Sequence, residues 1–440
     1  MTDPTDPTPG TPAEPTPPGD AAAATLQPAA APSPPAAPIP VAPPAGRGSM
    51  VREVTDTDLR DLIPAEERAA AESIDYPLVN EDDAGAVPLG RRLRDPRTII
   101  SFVVPIGVLL LLAVALPGFN LQALPGLIAH ANPWWLLAAL GIYYVGFPLR
   151  GYRWALLIRG VGYPLKTKDS TEIILISWLV NCVVPAKLGD VYRAYLLRVN
   201  YLVSLSKTFG TVFIERVFDL IAIVVLGLGA AFWSFREGMT NEVRLIMLAG
   251  LIVVVVLVVG LLLVRNFGRQ LMVRLPVPKR VVDMYDLFEE GIFSVDRRTM
   301  PMIVVVTALI WTTEALRLLF VVQSLGFDDV KLGISGAFFV ALVASLLTAV
   351  PLTPAGLGLV EVGIVGILVS VYHVPRDEAL AIALVDRAIS VFSILVFGSI
   401  VYVFSSKTKG KVQPEAVAFA AAQAQAAATQ AGTLKNQHPA

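Results

Sequence analysis

Apolar residues in this chain gather into long runs separated by short charged stretches, and the lengths of those runs make the first prediction. Ile99 to Leu116 and Leu245 to Val264 each come close to the roughly 20 residues that a helix needs to cross about 30 Å of hydrocarbon. The pattern predicts full spans at 99–116, 133–152, 208–233, 245–264, 302–324 and 378–404. Two other apolar stretches are interrupted, one by "NCVVPAKLGDVYRAY" (Asn181–Tyr195) and one by "AVPLTPAGLGLVE" (Ala349–Glu361). Proline, glycine and charge break a helix, so these predict broken or re-entrant hairpins at about 171–200 and 332–372. The expected fold class is an all-α polytopic membrane protein with about six full spans plus two hairpins, or about eight spans if limbs are counted.

Charge at the ends of the runs predicts orientation, because cytoplasmic loops carry excess Lys and Arg. Arg91, Arg92, Arg94 and Arg97 before the first span, and Lys407, Lys409 and Lys411 after the last, put both termini inside. The loop from Pro117 to Pro133 has no basic residue and reads as outside; Arg159, Lys166 and Lys168 read as inside. Both flanks of the first interrupted stretch are basic, as a re-entrant hairpin requires. Arg265, Arg269, Arg274, Lys279 and Arg280 mark another inside loop. There, Val281, Met284, Tyr285, Phe288 and Ile292 recur at helical spacing, which suits a helix on the membrane surface or one packed on the bundle.

Composition supports this reading and removes other classes. Of 440 residues, 55% are hydrophobic and only 16% charged, outside the range of ordinary soluble domains. Net charge is −1 with no long basic cluster, so nucleic acid is not an expected partner. One cysteine, Cys182, and three scattered histidines predict no metal site, and no cofactor is expected. Residues 1–50 hold 15 of the 34 prolines and predict a disordered cytoplasmic tail without the build of a cleaved signal peptide. A charged juxtamembrane segment (51–97), the membrane domain (98–405) and an Ala/Gln-rich cytoplasmic tail (406–440) follow.

The two interruptions share a pattern: Pro185 to Val191 matches Pro354 to Val360 at five of seven positions. An arginine in the preceding span (Arg150, Arg317) and an acidic–arginine pair about thirty residues later (Glu215–Arg216, Asp386–Arg387) recur in the same order. With the predicted topology this reads as an inverted repeat, the layout in which transporters bind substrate at the repeat interface. Broken backbone at membrane depth is tolerated only against protein or a water-filled cavity, so the breaks predict a wet, charge-lined chamber. Pro185 and Gly189 supply the first break, with Asp190 expected to cap a helix starting at Val191; Thr353 is expected to cap at Pro354, with Gly356 and Gly358 allowing a bend. Fresh helix N-termini favour an anion such as phosphate. Charges inside spans are costly, so Glu215, Arg216, Asp219, Glu314, Arg317, Asp386 and Arg387 should face inward and pair. Purely structural i,i+3 pairing (Arg216 with Asp219, Glu314 with Arg317) and a snorkelling Lys187 account for the same residues equally well. Arg150 and Arg153 rank lower, as anchors near the end of their span.

"NCVVPAKLGDVYRAYLL", "VFIERVFDLIAI", "LTPAGLGLVEVGI" and "LVDRAISVFSILVFG" resemble the lysylphosphatidylglycerol synthase transmembrane-region family, the flippase-like domain of the multiple peptide resistance factor, over about 95–405. The resemblance implies a bacterial plasma membrane and movement of an aminoacyl-phospholipid between leaflets. It also implies that Asn181, Pro185, Lys187, Gly189, Asp190 and Arg193 form the first motif. Glu215 and Arg216 match the family's pair; Pro354, Gly356, Gly358 and Glu361 match its second motif, and Arg387 its last arginine. The family often has arginine at 187 and glutamate at 190; aspartate is a methylene shorter. No aminoacyl-transferase domain is visible, so the chain is not expected to be an enzyme.

The expected activity is phospholipid translocation without covalent chemistry. Lys187, Arg193, Arg216, Arg317 and Arg387 are the phosphate candidates; Asp190, Glu215, Glu314, Glu361 and Asp386 serve amine contact, charge balance or proton coupling. Membrane phospholipids are the expected partners; a homo-oligomer and a separate lipid-modifying enzyme are compatible. The rivals are a transporter of a small water-soluble anion, an intramembrane acid–base enzyme and a scaffold acting through the proline-rich tail. Cys182 beside the first break is expected to react with an impermeant maleimide much faster in inside-out vesicles than in intact cells, read by mass shift.

Overall fold

The computed structural model describes residues 124–419 and 422, apart from 185, 186, 236, 237, 239, 328, 329, 331, 349–352, 411, 420 and 421. The expected tail (1–50), juxtamembrane segment and first span (99–116), together with Pro185, lie outside the described residues. Every regular element among those described is helical. A short α1 (Leu124–Ala129) leads to α2 (Pro133–Gly160), where the Asn132 side chain accepts the Trp134 amide and Pro133 sits in the first turn, where a missing N–H costs nothing. α2 is 28 residues long and reaches well past the expected end at 152. Its apolar pattern stops early because Arg150 and Arg153 are inside the helix, not at its rim.

The interrupted stretches are broken as expected. The first hairpin is α3 (Thr167–Val183) and α4 (Leu188–Tyr201); α5 (Leu205–Ser234) follows. The second is α10 (Gly333–Thr348) and α11 (Leu359–Ser370), entered from α9 (Met300–Leu325) and left through α12 (Arg376–Arg387). At 1.5 Å per residue no limb exceeds about 26 Å, so none alone crosses about 30 Å of hydrocarbon. A π-turn (Ala388–Phe392) joins α12 to α13 (Ser393–Phe404) in one 29-residue helix. Among the described residues four helices are long and apolar enough to cross a membrane, Leu205–Ser234, Val243–Arg274, Met300–Leu325 and Arg376–Phe404; α2, read as a span at 133–152, is not one of them.

The amphipathic stretch forms α8 (Lys279–Ile292), after α6 (Asn241–Leu263), a π-turn (Val264–Gly268) and α7 (Arg269–Arg274). Of the two expected settings for it, packing on the bundle is the one observed. α8 crosses α5 where Gly291 meets Gly210, so closely that a Cβ on either would collide with the other helix's backbone. The Phe213 and Phe288 rings meet nearby at a tilt of 58°, and Lys207 bonds Glu290 at 3.1 Å.

The start of the C-terminal tail also packs, although its composition suggests nothing of the kind. Lys407 is buried, 3.1 Å from Asp169 of α3 and over the Tyr201 ring of α4. Asn200 holds the Lys407 carbonyl at 2.9 Å, Ser405 bonds Glu172, and Phe419 lies against Tyr163. Lys166 pairs with Glu415 at 2.5 Å, which holds its ammonium above the ordinary lysine range through that hydrogen bond. Both limbs of the first hairpin are thereby tied to the end of the last span.

Substituting Gly291→Leu forces α8 off α5, an overpacking change costing about 1–3 kcal/mol. A lower thermal midpoint in detergent checks this; an unchanged midpoint would show that α8 is not seated there.

Candidate functional site

At the first break the chain leaves α3 at Val184 in extended conformation, and Lys187 takes the left-handed φ of 53° that turns it into α4. Asparagine 181 spends its side chain on the backbone, accepting the Gly189 amide at 2.8 Å. Glycine 189 is required for a different reason from the expected bend, since a Cβ there would collide with the Ser177 carbonyl of the opposite limb. Helix α4 starts at Leu188, not Val191. Asp190 therefore sits in its first turn instead of capping it, and its carboxylate accepts Arg216 at 3.0 Å with Arg193 3.8 Å away.

The second break is built differently. Pro354–Gly356 forms one tight 3-10 turn, with Ala355 at φ 51°, Gly356 at 72° and Gly358 at 88°. A positive φ costs glycine nothing, which accounts for two of these three positions. Thr353 does not cap α11. The cap is Gly358, whose N–H is accepted by Glu361 at 2.6 Å, one half of a capping box. Glu361 is thereby committed to the backbone and fully buried. The 3-10 turn packs against α3, so the second break adjoins the first hairpin.

Between the breaks lies a ladder of buried charge. Arg153 on α2 donates to Asp219 at 2.6 Å and to Glu215 at 3.0 Å, both on α5; Glu215 also accepts Arg193 of α4 at 3.0 Å. Trp311 of α9 donates to Asp219 at 3.1 Å. Arg150, one turn from Arg153, meets Glu314 of α9 at 2.5 Å and lies over the Trp178 ring. Glu314 holds Arg317 at 3.1 Å, and Arg317 reaches Asp386 of α12 at 2.5 Å. Each i,i+3 pair read from sequence is present, but the shorter bonds run between helices.

The reading of Arg150 and Arg153 as anchors at the end of their span is corrected, because both are buried and join α2 to α9 and α5 at the centre of the ladder. Asp219, named only as a buried charge, belongs with them. The signal was available: two arginines three apart share a helix face, and a span drawn eight residues longer would have put both at membrane depth.

Three cations are less completely engaged or less buried than these. Arg387 reaches the Ala355 carbonyl at 3.4 Å and Asp386 at 3.5 Å, with its Nε bare among the described residues. Arg216 has a third of its side chain exposed and its Nε also bare. Lys187 makes no ion pair among the described residues. Seven cations (these three with Arg150, Arg153, Arg193 and Arg317) thus face six carboxylates: Asp190, Glu215, Asp219, Glu314, Glu361 and Asp386.

The expected wet chamber is not open. A cleft lined by Arg317, Ser345, Thr348, Asp386 and Arg387 has about 20 Å³ of free space, enough for a single water. Cys182 is buried as well, so the expected fast labelling by maleimide does not follow from the broken helix. No cluster of His, Cys, Asp and Glu suited to a metal ion occurs among the described residues.

The sequence profile of the lysylphosphatidylglycerol synthase TM region matches residues 98–398. A UPF0104 membrane protein of Methanocaldococcus jannaschii is 37% identical over 226 residues, 51% of this chain and 92% of that protein. The glycosyltransferase AglD of Haloferax volcanii is 28% identical over 295 residues, 60% of this chain but 47% of that protein. A UPF0104 membrane protein of Methanothermobacter thermautotrophicus is 27% identical over 303 residues, 64% and 86% of the two chains.

Removing Arg153 leaves two buried carboxylates facing each other, so Arg153→Ala should lower stability by about 3–5 kcal/mol. Arg153→Lys should recover little, because an ammonium cannot fork between Glu215 and Asp219. Denaturant titration in mild detergent checks both; full stability of Arg153→Ala would show that the ladder does not hold the bundle.

Proposed function

The chain belongs to the family of the lysylphosphatidylglycerol synthase TM region and is a multi-pass membrane protein, and from that premise we propose that it moves phospholipid headgroups between leaflets. The observation that carries the reading is the sorting of buried charge into strong and weak bonds at the two breaks. Arg150–Glu314, Arg153–Asp219 and Arg317–Asp386, at 2.5–2.6 Å, are short charge-assisted bonds that clamp the helices. Arg387 and Lys187 have long or missing bonds and lie next to broken backbone, and Arg216, although bonded to Asp190, keeps a third of its side chain exposed. A lipid phosphate would displace only those weak contacts, at little cost to the clamp.

Helix pairing supports an inverted repeat. If α2, α3, α4 and α5 correspond to α9, α10, α11 and α12–α13, each packing pair has its counterpart. Helix α3 packs on α13 as α10 packs on α5; α4 lies on α5 as α11 lies on α12; α2 and α9, the two entry spans, pack on each other. In such a layout the two halves rock about a shared site and expose it alternately. The water-sized cleft is then the occluded form of that site, with acyl chains remaining in the bilayer.

We propose no covalent step. Glu215, Glu314 and Asp386 stay in the clamp and Glu361 is a cap; Asp190, partner of the part-exposed Arg216, is the carboxylate left to meet a headgroup amine. The AglD match covers less than half of that protein, so its transferase name carries no activity to this chain. A small-anion transporter would use the same cations, and the rival is settled by which cargo moves.

The test uses proteoliposomes with a fluorescent phospholipid and a membrane-impermeant quencher. Wild-type protein should expose the inner-leaflet pool, and Arg387→Gln or Lys187→Gln should slow this about 10–100-fold, the loss of one charged hydrogen bond to phosphate. A rate equal to that of protein-free vesicles would sink translocation. Uptake of labelled inorganic phosphate without lipid movement would establish the rival.

A further inference from the structure

The elbow between α6 and α8 is basic, apolar and bare. Residues 265–282 contain Arg265, Arg269, Arg274, Lys279 and Arg280 and no carboxylate. Of the acidic residues on α8, Asp286 takes Arg269 at 3.4 Å, yet that arginine's side chain stays 72% exposed. Glu290 is engaged by Lys207 of α5. Among the described residues, Arg274, Lys279 and Arg280 make no ion pair. Phe267, Leu271, Val273, Leu275 and Val281 are interleaved with these cations and are all at least 41% exposed.

Neither bulk phase suits that mixture. Water leaves the large apolar groups unburied, and hydrocarbon leaves the guanidinium and ammonium groups without solvation. The headgroup zone of a bilayer accepts both, and acidic lipids supply the missing counter-charge. Position agrees with chemistry. The apolar run Leu245–Val264 is about 30 Å long as a helix, so Arg265 stands where hydrocarbon ends. Helix α6 is itself the most lipid-facing of the four candidate spans, with 6% of its most apolar window buried. Val243–Arg274 is one 32-residue helix with a π-turn at Val264–Gly268, so its basic end emerges from the hydrocarbon end of the apolar run.

We infer that this elbow is a docking surface for anionic phospholipid headgroups, separate from the charge ladder and independent of whether the ladder moves lipid. An acidic protein partner is the less suitable occupant, because the exposed apolar residues form no groove and run on from a lipid-facing helix.

Hydrogen exchange on the full chain in vesicles tests this. Amides of 269–282 should exchange about tenfold more slowly with roughly a third phosphatidylglycerol than in phosphatidylcholine alone. The difference should collapse in high salt, where charge attraction is screened. It should also vanish in the Arg274→Gln/Lys279→Gln/Arg280→Gln variant, with exchange in α9 unchanged as proof of folding. If that variant fails to fold, the salt titration of the wild type decides alone. Equal exchange in both vesicle types overturns the inference, as does protection that survives salt or the triple substitution. The same protection from polyglutamate on neutral vesicles would assign the elbow to an acidic protein instead.

Discussion

The fold rests on one constraint: a charge in a low-dielectric interior must be paired or it drives the chain apart. Arg153 shows how this is met, since one guanidinium bonds two carboxylates of α5 and the Thr307 hydroxyl of α9. Arg150 and Arg317 extend the same solution through Glu314 to Asp386, so that α2, α5, α9 and α12 are joined by short polar bonds. Between helices that are otherwise as apolar as lipid tails, hydrophobicity gives little reason to choose one neighbour over another. The ion pairs supply the choice.

The same constraint explains why the backbone can break. An unpaired amide in hydrocarbon is also costly, though less so than a charge, and each break satisfies one through a side chain. Asn181 accepts the Gly189 amide in one hairpin; Glu361 accepts that of Gly358 in the other. Glu361, which a functional reading assigns to cargo, is therefore structural, as is Asn181, whereas Lys187 and Arg387 at the same breaks are not consumed in this way. A site that must bind and release needs rigid neighbours and a few underused groups, and the contrast between short and long bonds separates the two.

Peripheral pieces follow from helix geometry. The Gly210–Gly291 crossing brings α8 against α5 at backbone distance, and Lys407 fastens the end of α13 to α3 and α4. These contacts hold the surroundings of the first hairpin from two sides. They leave most side chains of the basic elbow at 265–282 exposed.

Run length and hydropathy by themselves determined the helical class and the place of the two interruptions, because crossing hydrocarbon imposes a length on every segment. Proline and glycine marked both breaks for the same local reason. Partner choice was not local. Asp190 reads as a cap, Glu361 as a ligand and Arg153 as a rim anchor until the helices are brought together, since each side chain reaches one of several groups and only the assembled bundle decides which is near. The C-terminal segment is the clearest case: its composition predicts a tail, and only the acceptors presented by α3 and α4 make it part of the fold.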